Sequence, residues 1–149
     1  MKYILIILSG LIYQSGDTNV IKELYVNDFD FGGSKDDFLY FAGEPDSTQT
    51  VYSEMNRKDY TIFTYSESSL TFLDDKLIGV EFKDSVFTLM PYKIKVGAKD
   101  EVLKATFPLS YKSRDGGDKD YVMVIAYYDT TIGFVVRNNC IVSVYTRYA

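Results

Sequence analysis

Apolar and polar residues alternate with a period of two over several short stretches of this chain. Leu70 and Phe72 alternate with Thr71, and Ile78, Val80 and Phe82 alternate with Gly79 and Glu81. Phe134, Val136, Val142 and Val144 repeat the pattern further on. Such alternation predicts strands buried on one face. Asp74-Asp75-Lys76 and Asn138-Asn139 sit between alternating runs and read as hairpin turns. The predicted strands are residues 59–65, 69–73 and 77–82, then 121–128, 131–137 and 140–146, with weaker ones at 49–53 and 110–113.

Helical spacing occurs twice. Phe38, Leu39 and Phe41/Ala42 form one apolar stripe, with Ser34 as the cap, Asp36 and Asp37 in the first turn and Gly43-Glu44-Pro45 as the stop. Val102, Leu103 and Thr106 form the other, with Gly97 in the capping role, Asp100 and Glu101 following, and Pro108 as its end. Before the first helix, residues 17–30 read as a leading strand or arm carrying Val20, Ile21, Leu24 and Val26.

These elements recur at a constant offset of 64 residues, with no gap between blocks. Gly33, Lys35, Asp36 and Leu39 return as Gly97, Lys99, Asp100 and Leu103. A fixed period of this size points to one supersecondary unit used twice. The expected fold class is α+β: two tandem helix-plus-antiparallel-sheet units, residues 17–83 and 84–149, forming one continuous sheet with helices on one face. The other face stays open and, because sheets twist, concave. Strand parity then sends Thr71, Leu77, Glu81, Val135, Arg137, Ser143, Tyr145 and Arg147 outward. Tyr65 and Tyr127 are placed with them. The candidate partner-binding residues are Tyr65, Glu81, Tyr127, Arg137, Tyr145 and Arg147, since Tyr and Arg are enriched among recognition hot spots.

Composition narrows the chemistry. The 149 residues include 14 Tyr and 10 Phe but no Trp and no His, and the net charge is −5. An acidic balance without a basic patch argues against nucleic-acid binding. The lack of His removes the commonest general base and transition-metal ligand, and with it a Ser-His-Asp arrangement. A single Cys, Cys140, excludes an internal disulfide and a cysteine zinc cluster. The acidic run Asp115-Gly-Gly-Asp118-Lys-Asp120 lacks EF-hand spacing and reads as a solvated loop. Asp36 and Asp37 read as first-turn helix acids rather than an acid/base pair. No catalytic residue, metal site or cofactor is expected.

Residues 1–16 have the shape of a signal peptide: Met1-Lys2, an apolar run from Tyr3 to Tyr13, then polar residues. The run is too short for an ordinary membrane span. Export to the periplasm or the medium is expected, and a cytoplasmic location if this segment is not cleaved.

Gly33-Ser-Lys-Asp-Asp-Phe-Leu39, then Phe41-Ala-Gly43-Glu-Pro45-Asp46, an aromatic strand and the hairpin around Lys76 resemble the SmpA/OmlA-type modules of outer-membrane assembly lipoproteins. Two such modules in tandem resemble the β-lactamase inhibitor protein fold. The resemblance covers residues 30–146 and departs from the family in lacking a lipid-anchor Cys, disulfides, Trp and His. It implies a non-catalytic exported protein that grips another protein with a concave sheet, in an inhibitory or envelope-assembly role. The alternative is a small-ligand or lipid carrier with a pocket between helices and sheet.

Overall fold

A computed structural model describes residues 24–127 and 130–148. The predicted signal segment and the arm residues Val20 and Ile21 lie outside them. The main element is an eight-stranded antiparallel sheet in the order β3-β4-β5-β6-β11-β10-β9-β8. Its strands are β3 (Ser47–Ser53), β4 (Lys58–Tyr65), β5 (Ser68–Leu73), β6 (Lys76–Phe82), β8 (Asp115–Gly116), β9 (Tyr121–Tyr127), β10 (Thr130–Arg137) and β11 (Cys140–Tyr148). A small second sheet joins β1 (Tyr25–Val26) to β2 (Phe29–Asp30) and to β7 (Leu89–Met90). The helices are α1 (Lys35–Ala42), α2 (Glu101–Thr106) and α3 (Pro108–Lys112). The fold is thus α+β, mostly strand, with antiparallel sheets.

Local chemistry accounts for the ends of α1. The Ser34 hydroxyl accepts from the Asp37 N–H at 3.1 Å, satisfying one orphan donor of the first turn. Gly43 ends the helix at φ 80°, and its N–H donates to the Leu39 carbonyl. The second helical segment departs from expectation. Pro108 does not end it but opens α3, because a proline at the first helical position loses no hydrogen bond. Residues 110–113, expected as a strand, therefore lie in and just after α3, and the edge strand shrinks to Asp115–Gly116. Gly97 is not the cap; Asp100 takes that position, and Gly97 sits at φ 92° in the approach loop.

Both hairpin turns form as expected, with Asp74, Asp75, Asn138 and Asn139 all at positive φ. Each hairpin carries a bulge that the alternation did not reveal. In one, Thr71 pairs with Gly79 but Phe72 with Leu77, so Ile78 is the extra residue. In the other, Val135 pairs with Ser143 but Val136 with Ile141, so Val142 is extra. An extra residue reverses the parity beyond it. Leu77 and Ile141 are consequently buried, whereas Ile78 is half-buried and Val142 exposed, opposite to the expected inward positions of Ile78 and Val142 and outward position of Leu77.

The loops before α1 and α2 hook onto these hairpins by matching backbone bonds. Gly32 N–H donates to Leu77 O, Leu77 N–H to Gly33 O and Lys35 N–H to Asp75 O. Gly97 N–H donates to Ile141 O, Ile141 N–H to Ala98 O and Asp100 N–H to Asn139 O. The hairpin partners differ by 64 and the loop partners by 65, so the gap-free alignment of Gly33 with Gly97 is off by one. Gly32, at φ 87°, is the residue matching Gly97. Left-handed backbone at that point is what a glycine accommodates.

The core lies between the helices and one face of the sheet. Phe38 of α1 contacts the rings of Phe29, Phe41, Tyr65, Phe72 and Phe87 at centroid separations of 4.9–6.1 Å. Phe107, between α2 and α3, stacks on Phe134 at 5.8 Å. Tyr111 of α3 meets Tyr121 edge-on at 5.6 Å. Residues 83–93, around the expected boundary between the two units, are themselves structural. Phe87 and Leu89 are buried, and Asp84 accepts from Ser68 Oγ, Glu67 N–H and Val86 N–H. Burial opposes ionisation of Asp84, but these hydrogen bonds outweigh it and hold the carboxyl below its ordinary value.

The two four-strand sets meet only where β6 pairs with β11, through Phe82 opposite Val144 and Glu81 opposite Tyr145. Next along, the Val80 N–H donates at 2.8 Å to the Thr146 hydroxyl. On the helix side, β1 pairs with β7, and Asn27 exchanges bonds of 2.8 Å with the Thr88 backbone through its own N–H and Oδ1. The isosteric Thr146→Val substitution leaves the buried Val80 N–H without that acceptor. It is expected to cost about 1–3 kcal/mol, read by urea denaturation, with Thr146→Ser close to wild type.

Candidate functional site

The sheet face turned away from the helices is built from the opposite strand parity. Ile62 from β4, Ser69 and Thr71 from β5, and Val135, Ser143 and Tyr145 from β10 and β11 are half-buried there, and Glu81 is exposed. With Gly79, Val80 and Thr146 they line a depression of about 400 Å³. A neighbouring depression of about 290 Å³ is lined by Asn56, Tyr60, Thr71, Leu73, Ile78, Gly79 and Thr146. Thr71, Gly79 and Thr146 belong to both, and a Cβ added at Gly79 would lie 3.3 Å from Thr146 Oγ1. The hollow therefore follows the line where the hydroxyl has replaced the backbone ladder between β6 and β11.

Tyr145 forms one wall of it. The residue opposite on β10 is Gly133, and a Cβ built there would overlap the Tyr145 ring. The ring thus covers the bare backbone of Gly133, an aromatic–glycine cross-strand pair. Glu81 lies opposite Tyr145 on the other side, its carboxylate 3.0 Å from Lys83 Nζ at the surface.

The six residues singled out from sequence are not brought together. Tyr145 and Glu81 share the seam of the open face. Arg137 is exposed at the hairpin end of β10, its guanidinium donating to the neighbouring Val136 carbonyl at 2.8 Å. Tyr127 pairs with Thr130, and Arg147 with Thr131, near the opposite end of the same strands. Tyr65 is a correction. It has the inward parity of Phe63 and is buried against Phe38 and Phe87, with its hydroxyl donating to the Gly43 carbonyl at 2.8 Å. Burial first, then the Glu44 and Asp46 carboxylates, push its phenol up to about 12.

Thr146, Gly79, Ile62 and Thr71 were not singled out as site residues. Gly79, Thr71 and Thr146 contribute small size and Ile62 an apolar side chain at an outward strand position, which residue type alone does not announce.

Other polar groups are occupied structurally. Asp100 is buried and accepts from Tyr121 Oη at 2.9 Å; burial and this bond raise the Tyr121 phenol above its ordinary value. In the acidic loop, Asp118 pairs with Arg114 at 3.2 Å and Asp120 Oδ1 accepts from the Asn138 N–H at 2.8 Å. Among the described residues, no three His, Cys, Asp or Glu side chains gather as metal ligands would. No helix among them is long and apolar enough to cross a membrane.

No family model and no curated protein matches the chain. Among solved structures it is similar to an extracellular protein containing an SCP domain from Bacillus anthracis, with TM-score 0.54 and 14% identity over 79% of this chain and 44% of that one. It also matches a DUF4309 family protein, YjgB, from Bacillus subtilis, with TM-score 0.39 and 13% identity over 78% of each chain. The chain spans less than half the length of the first of these, and that likeness is one of fold.

Two outcomes test this geometry. Below pH 10 the Tyr65 phenol is protonated whether the chain is folded or not. Between about 10 and 12 the unfolded chain releases that proton first, so stability falls as pH rises. Tyr65→Phe is expected to lose about 1 kcal/mol at neutral pH, through the Gly43 bond. It should also reduce the alkaline loss by about 1–3 kcal/mol, in denaturant titrations at pH 9 and 11.5. Gly133→Ala is expected to destabilise by about 1–3 kcal/mol by displacing the Tyr145 ring. In a Tyr145→Ala background the same change becomes neutral or stabilising, which a double-mutant cycle reads directly.

Proposed function

We propose that this chain is a non-catalytic exported binding protein that docks another protein on the open face of its sheet. The observation that carries the proposal is the uncovered seam hollow, walled by Tyr145 and floored by small residues. Glu81 is the only charged residue among the described residues that line it. A shallow, mostly uncharged surface with an aromatic wall suits a protein side chain better than a reacting substrate. The filled aromatic layer around Phe38, Phe72 and Phe107 speaks against a carrier with its ligand between helices and sheet. The fold is shared with a protein described as extracellular, which accords with the signal-like start of the sequence.

The same proposal treats the halves as copies of one unit, in the manner of tandem SmpA/OmlA-like modules and the β-lactamase inhibitor protein. The sheet order supports this, since the two sets of four strands run in mirrored sequence from the seam outward. The bulges at Ile78 and Val142, 64 residues apart, support it too.

Ser143→Arg fills the hollow from a half-exposed position and should leave folding intact. With wild-type protein as bait in an extract of the native source, a specific protein partner is expected, and Ser143→Arg is expected to lose at least tenfold in affinity for it. Equal binding by both proteins would move the site elsewhere. A small molecule co-purifying in native mass spectrometry, with no protein partner, would favour the carrier reading.

A further inference from the structure

The outer edge strand β3 is unlike the rest of the sheet. It pairs with β4 through seven consecutive residues without a bulge, and all but Ser53 are exposed. Its helix-side positions Thr48, Thr50 and Tyr52 are as bare as the others, and none of the described helices covers it. Natural edge strands are ordinarily blunted by Lys, Pro, a bulge, brevity or a covering element. Ser-Thr-Gln-Thr-Val-Tyr-Ser has none of these and carries no charge. At the far end of the sheet, β8 is two residues long and begins with Asp115.

We infer that β3 is a self-association edge: it pairs antiparallel with β3 of a second copy of this chain, across a two-fold axis through Thr50. An antiparallel self-pair must place one residue opposite itself, because groups that point outward have to meet groups that point outward. Centring on Thr50 uses the whole strand. Thr48 then faces Tyr52, Gln49 faces Val51 and Ser47 faces Ser53, giving β-branched–aromatic and neutral polar pairs with no like charges opposed. The molecule already joins two four-strand sheets in this way at its centre. There Glu81 lies opposite Tyr145 and Phe82 opposite Val144 in an antiparallel edge-to-edge seam. A β3 pair would repeat that join and set two sheets edge to edge with their helices on one side.

A seven-residue strand pair falls at the small end of interfaces, below about 1,200 Å² in total, so micromolar association is expected. Just beyond the ladder, Asp46 of one copy comes near Glu54 of the other at both ends. Screening should therefore tighten the pair, even though Asp46 is already bound to the Ser66 N–H at 2.6 Å.

Sedimentation equilibrium of the full chain between about 1 and 200 μM tests this at the affinity expected of a small interface. The expected result is a monomer–dimer equilibrium that strengthens with added salt. Thr50→Lys sets two ammonium groups face to face at an exposed position and should weaken it at least tenfold, while Thr50→Ser leaves it unchanged. In a Cys140→Ser background, Thr50→Cys should form a disulfide-linked dimer under mild oxidation, and the exposed control Ser85→Cys should not. Three results would overturn the inference: a wild-type monomer throughout the range, dimerisation indifferent to Thr50→Lys, or open-ended growth, which would signal head-to-tail joining of β3 to another edge.

Discussion

The structure depends on a single hydroxyl placed where a strand ladder stops. β6 and β11 pair through two residues and then part, and the Val80 N–H is met by Thr146 Oγ1 instead of a carbonyl. A backbone donor in a buried strand must have a partner, and a side-chain acceptor lets the strands separate without orphaning it. Two features follow. The halves stay one sheet, and the separation leaves the hollow over Gly79 that the proposed partner would enter.

The seam is also where the proposed likeness of the two halves would be most visible. Glu81 and Tyr145, which face each other, are 64 residues apart, as are the two bulge residues. On the proposed reading of the halves as copies, corresponding positions would meet there, as they do in an isologous dimer interface. The side chains nonetheless differ. Glu81 is exposed and paired with Lys83, while Tyr145 lies down over Gly133. The two sides of the seam thus present different surfaces, which the proposed partner would read in one orientation.

Much of the fold was legible because alternation and turn chemistry agreed. β4, β5, β6, β9, β10 and β11 lie within one or two residues of the expected spans, and α1 is bounded as expected by the Ser34 hydroxyl and by Gly43, whose lack of a Cβ permits positive φ. Legibility failed where one residue changed the count. The Leu77-Ile78 and Ile141-Val142 doublets were the available signs of a bulge, two apolar residues in succession just after a turn. Phe107-Pro108 reads as a stop from sequence, although proline is equally suited to begin a helix. Tyr65 falls on the other face from the expected one because Ile62, Phe63, Thr64 and Tyr65 lack strict alternation and tolerate either face. Of the candidate site, Glu81 and Tyr145 were visible as outward polar and aromatic residues. The seam itself was not, because a threonine in a strand is ordinary until its neighbour's ladder ends.

The order of strands has a kinetic meaning as well. Within the large sheet every neighbouring pair except β6–β11 joins strands that are adjacent in the chain. Each half can therefore assemble from local hairpins, which close quickly because little loop entropy is lost. The seam and the β1–β7 clasp bridge about 60 residues and must wait for both halves. Until they close, β6 and β11 are themselves bare edges, and the hairpins that form first are the ones most exposed to pairing with another molecule's.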